Sequence, residues 1–191
     1  MEVVLASSNK HKVQEINDIV SSYGMNVKFI LPPDGFDPIE DGKNFEENSY
    51  IKAKAAWELS KCWTLADDSG LCIDALNGAP GIYSARYAET PELRIKRVLT
   101  ELDGIENRNA HFTCAMTLIA PNGEIAFKTQ GFCEGSIIEE SRGVNGFGYD
   151  PIFLVNGDTR TMAELSEAEK NNISHRSVAL RKVVKFLSEI S

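Results

Sequence analysis

Apolar residues fall along this chain in two rhythms. Val3-Val4-Leu5-Ala6 is an unbroken apolar run, as expected of a strand buried on both faces. It stops at Ser7-Ser8-Asn9, three good helix-capping residues. Val13, Ile16, Val20 and Tyr23 then recur at helical spacing, and Gly24 ends the pattern. Asn26 to Leu31 predicts a second strand, and Pro32-Pro33-Asp34-Gly35 with Asp37-Pro38 a loop. Phe45 to Lys61, rich in Glu, Lys and Ala, predicts a helix. Trp63 to Ala66 predicts a strand that runs into Asp67-Asp68-Ser69-Gly70, and extended structure resumes over Leu71 to Asp74. After the loop Gly78-Ala79-Pro80-Gly81, Pro91 to Leu102 predicts a helix with proline in its first turn. Ala110 to Ala120 and Glu124 to Glu134 flank Pro121-Asn122-Gly123, a strong hairpin signal. A glycine-rich stretch, Gly143 to Pro151, leads into a short strand, Ile152 to Val155. Ser174 then caps a helix running to about Ile190, with Val178, Val183, Leu187 and Ile190 along its apolar stripe. A hairpin set inside strand–helix alternation predicts an α/β fold with a mixed sheet. With no repeat, low-complexity tract or linker, residues 1–191 read as a single domain.

Composition narrows the function classes. The chain is 42% hydrophobic and 25% charged, ordinary for a globular protein able to bury its own core. Its formal net charge of -8 repels a polynucleotide backbone, which argues against nucleic-acid binding, though not against a small phosphorylated ligand. The acidic opening Met1-Glu2-Val3 is unlike a signal peptide, and no apolar run approaches the ~20 residues of a membrane span. Cys62, Cys72, Cys114 and Cys133 form no metal-binding spacing and read as thiols in a reducing cytoplasm. With only His11, His111 and His175 available, a metal site would rely on carboxylates, which points to Mg²⁺ rather than zinc.

Four segments look chemical, and each has a plainer alternative. Ser7-Ser8-Asn9-Lys10-His11-Lys12 places hydroxyl and amide groups at a helix N-terminus, where free N–H groups favour phosphate; an ordinary cap with a solvated lysine is the alternative. Adjacent carboxylates at Asp67-Asp68 are costly unless something positive binds there, so one of them can hold Mg²⁺ or take a proton from water; a surface turn is the alternative. Gly146-Phe147-Gly148-Tyr149-Asp150-Pro151 sets aromatics among glycines, so backbone can approach a ligand on which a ring stacks; a glycine-rich turn with two core aromatics competes. In Lys170-Asn171-Asn172-Ile173-Ser174-His175-Arg176, two cationic residues follow a helix cap and oppose the helix dipole, a local conflict expected where function constrains sequence; a solvated pair competes.

Taken in order, these segments resemble the inosine triphosphate pyrophosphatase family over nearly the whole chain. The resemblance also includes Phe45-Glu46-Glu47-Asn48 with Lys52-Ala53, and Gly78-Ala79-Pro80-Gly81-Ile82-Tyr83-Ser84-Ala85-Arg86. Family members often open with Thr-Gly-Asn or Thr-Thr-Asn; Ser7-Ser8-Asn9 keeps the hydroxyl. The resemblance implies a three-layer α/β fold with a long mixed sheet, two lobes with a cleft between them, and a homodimer. It implies Mg²⁺-dependent cleavage of ITP, dITP and XTP between the α- and β-phosphates, giving a monophosphate and pyrophosphate. It also implies site roles. Ser7, Ser8, Asn9 and Lys12 hold the triphosphate; Asp68 is general base and metal ligand, and Ser69 contacts substrate. Glu40 is the second acidic ligand, with neighbouring Glu47 as the alternative. Phe147 stacks on the base, Gly148, Tyr149 and Asp150 shape the pocket, and Lys170, His175 and Arg176 complete the nucleotide site. The competing expectations are a Maf-type pyrophosphatase for dTTP or UTP, which lacks the Gly146–Pro151 and Ser174–Arg176 segments, and a non-catalytic nucleotide sensor, which has no need of a base such as Asp68.

Overall fold

The structure is a computed structural model that describes residues 1–8 and 10–190, without the side chains of His11 and Glu15. Its strands are β1 (Glu2–Leu5), β2 (Lys28–Ile30), β3 (Thr64–Ile73), β4 (Asn109–Ile119), β5 (Ile125–Ile137) and β6 (Phe153–Val155). Its helices are α1 (Lys10–Ser22), α2 (Phe45–Ser60), α3 (Pro91–Glu101), α4 (Glu167–Ile173) and α5 (His175–Glu189). The strands form one sheet in the order β2-β1-β3-β4-β5-β6. β1 runs parallel to β2 and β3, whereas β6 is antiparallel to β5, so the sheet is mixed as the hairpin signal requires.

The chain divides into two compact units: Met1–Asp68 with Cys114–Gly131 and Ser177–Ser191, and Ser69–Thr113 with Phe132–Arg176. In the first unit, helices cover both faces of the strands. Side chains along a strand alternate between faces, and the buried residues sort accordingly. Val3 and Leu5 of β1 and Leu65 of β3 pack with Ile16, Ile19 and Val20 of α1 and Leu180, Val183 and Leu187 of α5. Val4, Ala6 and Ala66, which alternate with them, pack with Ala53 and Ala56 of α2. The small side chains on α2 let it approach the sheet closely, and a buried hydroxyl pair, Ser49 with Thr117 at 2.7 Å, ties the two together. In this unit helix, sheet and helix form the three layers that the family resemblance implies.

The second unit has one core, built by Leu71 and Ile73 of β3, Ala110 and Phe112 of β4, and Cys133 and Ile137 of β5. Val98 and Leu102, at the end of α3, pack onto it, together with Tyr149, Ile152, Phe153, Met162 and Leu165. Here α3 begins as read: Thr90 caps it by accepting from Leu93 N, and Pro91 opens it.

One local reading changes. β3 is continuous from Thr64 to Ile73 rather than interrupted at Asp67-Asp68-Ser69-Gly70. Ser174, an extended residue (ψ 148), closes α4 and stands directly before α5, which begins at His175.

Candidate functional site

β3 alternation decides what the two adjacent aspartates meet. Asp67 lies on the side of Leu65, facing the layer of α1 and α5, and its carboxylate pairs with Lys12 of α1. Asp68 lies on the side of Ala66, facing α2. Its Oδ1 accepts a hydrogen bond from Lys52 Nζ at 2.9 Å, and its Oδ2 accepts one from Asn48 Nδ2 at 3.2 Å. Lys52 Nζ also lies 2.9 Å from Glu40 Oε2. The Asp67 side chain is 2% exposed, against 14% for Asp68 and 36% for Glu40, so of the two aspartates Asp68 is the one that reaches solvent.

Burial pushes the Asp68 carboxyl above the usual carboxylate range, against the pull of the Lys52 ammonium and the Asn48 amide. Burial also opposes the charge on Lys52. The surrounding carboxylates of Asp68, Asp67 and Glu40 outweigh it and hold the ammonium's pKa above its ordinary value. The result is a charged lysine gripped between two carboxylates, one of them tuned toward proton acceptance.

Of the two acidic candidates beside Asp68, Glu40 makes this contact and Glu47 does not. Asn44 caps α2 by accepting from Glu47 N at 2.8 Å. The Glu47 carboxylate returns along the same turn, accepting from Lys43 N at 2.8 Å and Asn44 Nδ2 at 3.0 Å. Ser7 and Ser8 stand between β1 and α1, Ser8 exposed, at the end where helix N–H groups and dipole favour an anion. Asn9 lies outside the described residues. Lys12, in the first turn of α1, is held by Asp67 rather than Asp68.

The second unit assembles most of the other predicted residues around Phe147. This ring is 64% exposed, unusual for phenylalanine, and two cations stand over it. Lys170 Nζ lies 4.6 Å and Arg176 Cζ 5.9 Å from its centroid. Asp150, buried, pairs with Lys170 and accepts from Phe147 N at 3.0 Å, which fixes the loop beneath the ring. Gly146 is obligatory there: its φ of +74° is left-handed, and a Cβ would run into Asp150 Oδ2. Gly148, at φ +63°, is left-handed too. Tyr149 faces inward, its hydroxyl donating to Ser84 O at 2.9 Å, so it supports the loop from behind. Burial pushes that phenol up to about 12. His175 stacks on Phe112, with ring centroids 4.9 Å apart. Ser69 opens this unit directly after Asp68 on β3 and is half-buried.

Among the described residues, no three His, Cys, Asp or Glu side chains form a metal cluster. The acidic donors are the two carboxylates that converge on Lys52. Hard oxygen ligands in that number suit Mg²⁺, which leaves most of its coordination positions to water and phosphate. Two of the thiols are poorly suited to nucleophilic chemistry. Burial pushes the Cys133 thiol up to about 11 and the Cys72 thiol upward, which disfavours a thiolate nucleophile. Among the described residues, no helix is long and apolar enough to cross a membrane.

The family model described as the Ham1 family matches residues 3–186 of this chain. The chain belongs to the Ham1 family. Two relatives named dITP/XTP pyrophosphatase agree with it over nearly their full length. The Treponema denticola protein is 44% identical, with 98% of each chain covered. The Bacillus subtilis protein is 46% identical, covering 97% of this chain and 96% of the relative. The Staphylococcus aureus Ham1 protein superposes with a TM-score of 0.90 at 38% identity over 100% of both chains. A HAM1 protein from Coxiella burnetii gives 0.89 at 42% identity over 99% of both.

The candidate site also contains polar groups that the sequence motifs left without a role. Lys52 and Asn48 are the main ones. Their signal was present: two polar residues four apart on α2 share a helix face with Ser49, Ala53 and Ala56, the face that packs on the sheet. Asp67 is the partner of Lys12, and Ser84 ties the 3-10 turn Gly81–Arg86 to β3 by accepting from Leu71 N at 2.9 Å.

Proposed function

We propose that this protein is a Mg²⁺-dependent pyrophosphatase that hydrolyses deaminated purine nucleoside triphosphates, ITP, dITP and XTP, to the monophosphate and pyrophosphate. The observation that carries the reading is the convergence of Glu40 and Asp68 on Lys52, with Asp68 raised above the usual carboxylate range by burial. The names of the relatives support the substrate class.

In this reading Asp68 positions a water and accepts its proton as the oxygen attacks the α-phosphorus. Each Asp68 oxygen already accepts one hydrogen bond and retains a further lone pair. The bond from the α-phosphorus to the bridging oxygen breaks, and pyrophosphate leaves. Lys52 stands beside Asp68 and offsets negative charge that grows during attack. Mg²⁺, held by Glu40 and Asp68, would supply further neutralisation of the phosphate oxygens. Ser7, Ser8 and the N-terminus of α1 hold phosphate, with Lys12 adding positive charge. In the second unit, Phe147 stacks on the base while Lys170 and Arg176 bracket it. A 6-oxo purine presents an acceptor to such donors, whereas the 6-amino group of ATP does not.

Homodimer formation and a cytoplasmic setting belong to the same reading. The first rests on the family resemblance, the second on four cysteines without disulfide or metal spacing.

The test is product identity. Incubation with ITP and Mg²⁺ should release inosine monophosphate and pyrophosphate in equal amounts, and a chelator should stop it. Inosine diphosphate with orthophosphate would overturn the assigned bond.

A further inference from the structure

Asn48 is 2% exposed, yet both ends of its side chain are engaged. Its Oδ1 accepts from Gly42 N at 2.9 Å, and its Nδ2 donates to Asp68 Oδ2 at 3.2 Å. A backbone N–H can only donate, so the amide orientation is fixed by Gly42 and the donor must face Asp68. Gly42 lies two residues after Glu40. A Cβ on Gly42 would stand 2.6 Å from Asn48 Oδ1 and 2.8 Å from Glu47 Cβ, so only glycine lets this loop lie against α2. One buried amide thus ties the loop that carries Glu40 to the strand that carries Asp68.

We infer that Asn48 is a positioning residue that sets the Glu40–Asp68 pair for a shared divalent cation, and that Gly42 is required for the same clasp. The inference rests on the metal reading of that pair. Partners that orient metal ligands typically cost about 10- to 100-fold in affinity when removed. Mn²⁺ binding to the nucleotide-free protein, read by electron paramagnetic resonance, reports the pair without turnover. Glu40→Gln and Asp68→Asn should weaken Mn²⁺ directly. Asn48→Ala and Gly42→Ala keep both carboxylates, yet each should weaken Mn²⁺ at least about tenfold. The Mg²⁺ concentration for half-maximal activity should rise in parallel, while KM for ITP at saturating Mg²⁺ stays near wild type. Gly42→Ala carries the test should Asn48→Ala fold poorly, because it leaves every side chain of the core intact. Wild-type Mn²⁺ affinity in Asn48→Ala and Gly42→Ala, with Glu40→Gln and Asp68→Asn weakened, would overturn the positioning role and leave the metal reading standing. Wild-type affinity in all four variants would overturn both.

Discussion

Replacing Asp68 with asparagine separates chemistry from folding. The amide is nearly isosteric, and its oxygen can still accept from Lys52 or Asn48, but it cannot take a proton. Loss of a positioned general base typically costs about 10²–10⁴-fold in rate, or about 2.7–5.4 kcal/mol of barrier. Stability should move little, because two linked contributions oppose each other. Asp68 has a folded pKa raised above its unfolded value, chiefly by burial. Its linkage contribution is therefore fully present below about pH 3.9 and is lost as pH rises through the folded pKa, so at neutral pH the buried carboxylate is a cost that asparagine removes. Lys52, raised by the same carboxylates, contributes stability below its unfolded pKa of about 10.4, and part of that goes with Asp68. Glu40, 2.9 Å from Lys52 Nζ, remains as its partner. In a chain of this size, 1 kcal/mol moves Tm by about 2–4 °C, so the variant should melt within roughly 4 °C of wild type. The assay is pyrophosphate release from ITP with a thermal melt on the same preparation. More than about a tenth of the wild-type rate would refute the base. A large fall in Tm would refute the argument that its charge is a neutral-pH cost.

Four further outcomes are expected. Arg176→Ala should lower kcat/KM for ITP by about 10- to 150-fold, the worth of a lost charged hydrogen bond, and shrink the ITP/ATP ratio. Lys12→Ala should weaken both substrates alike, and because an unfolded fraction cancels in the ratio, a change in ITP/ATP only for Lys12→Ala would reverse the assigned roles. Gly146→Ala places a side chain at φ +74° against Asp150, at about 1–2 kcal/mol for the backbone alone; a lower Tm and a higher KM for ITP are expected, and unchanged values of both would contradict the support given to Phe147. With Asp68 needed unprotonated and its pKa raised, kcat/KM should climb as pH rises through a midpoint above about 3.9; an acid limb at or below that value would contradict the tuning by burial.

The legibility of this chain in its sequence was uneven for physical reasons. α2 was read as Phe45 to Lys61 and spans Phe45–Ser60, because its start and stop are local: Asn44 caps one end and Lys61 turns left-handed (φ 53) at the other. Pro121-Asn122-Gly123 gave the hairpin for the same reason, with Gly123 at φ +88° and Asn122 accepting from Glu124 N at 3.1 Å. β3 was broken in the reading because Asp and Gly disfavour strands. What keeps it continuous is tertiary, since Lys12 and Lys52 come from two different helices to meet Asp67 and Asp68. α4 was missed although its capping box, Ser166 with Glu169, is written in the sequence; at seven residues it carries too little periodicity to register. In the site, residue type pointed to the Asp67-Asp68 pair, to Phe147 and to the His175-Arg176 pair, and only the family resemblance singled out Asp68. Nothing in type alone distinguishes Asp68 from Asp67, or Glu40 from Glu47. Strand alternation sends the first two to opposite faces of the sheet, and the cap of α2 engages Glu47 while Glu40 meets Lys52.

The central claim is selectivity for deaminated purines by a Mg²⁺-supported carboxylate site. Its most direct test is kcat/KM for pyrophosphate release from ITP, dITP, XTP, ATP and GTP, measured with Mg²⁺ and again after chelation. Turnover of ITP, dITP and XTP should stand well above that of ATP and GTP, be abolished by chelator and be restored by Mg²⁺. Equal turnover of ATP and ITP, or full activity without a divalent cation, would contradict it.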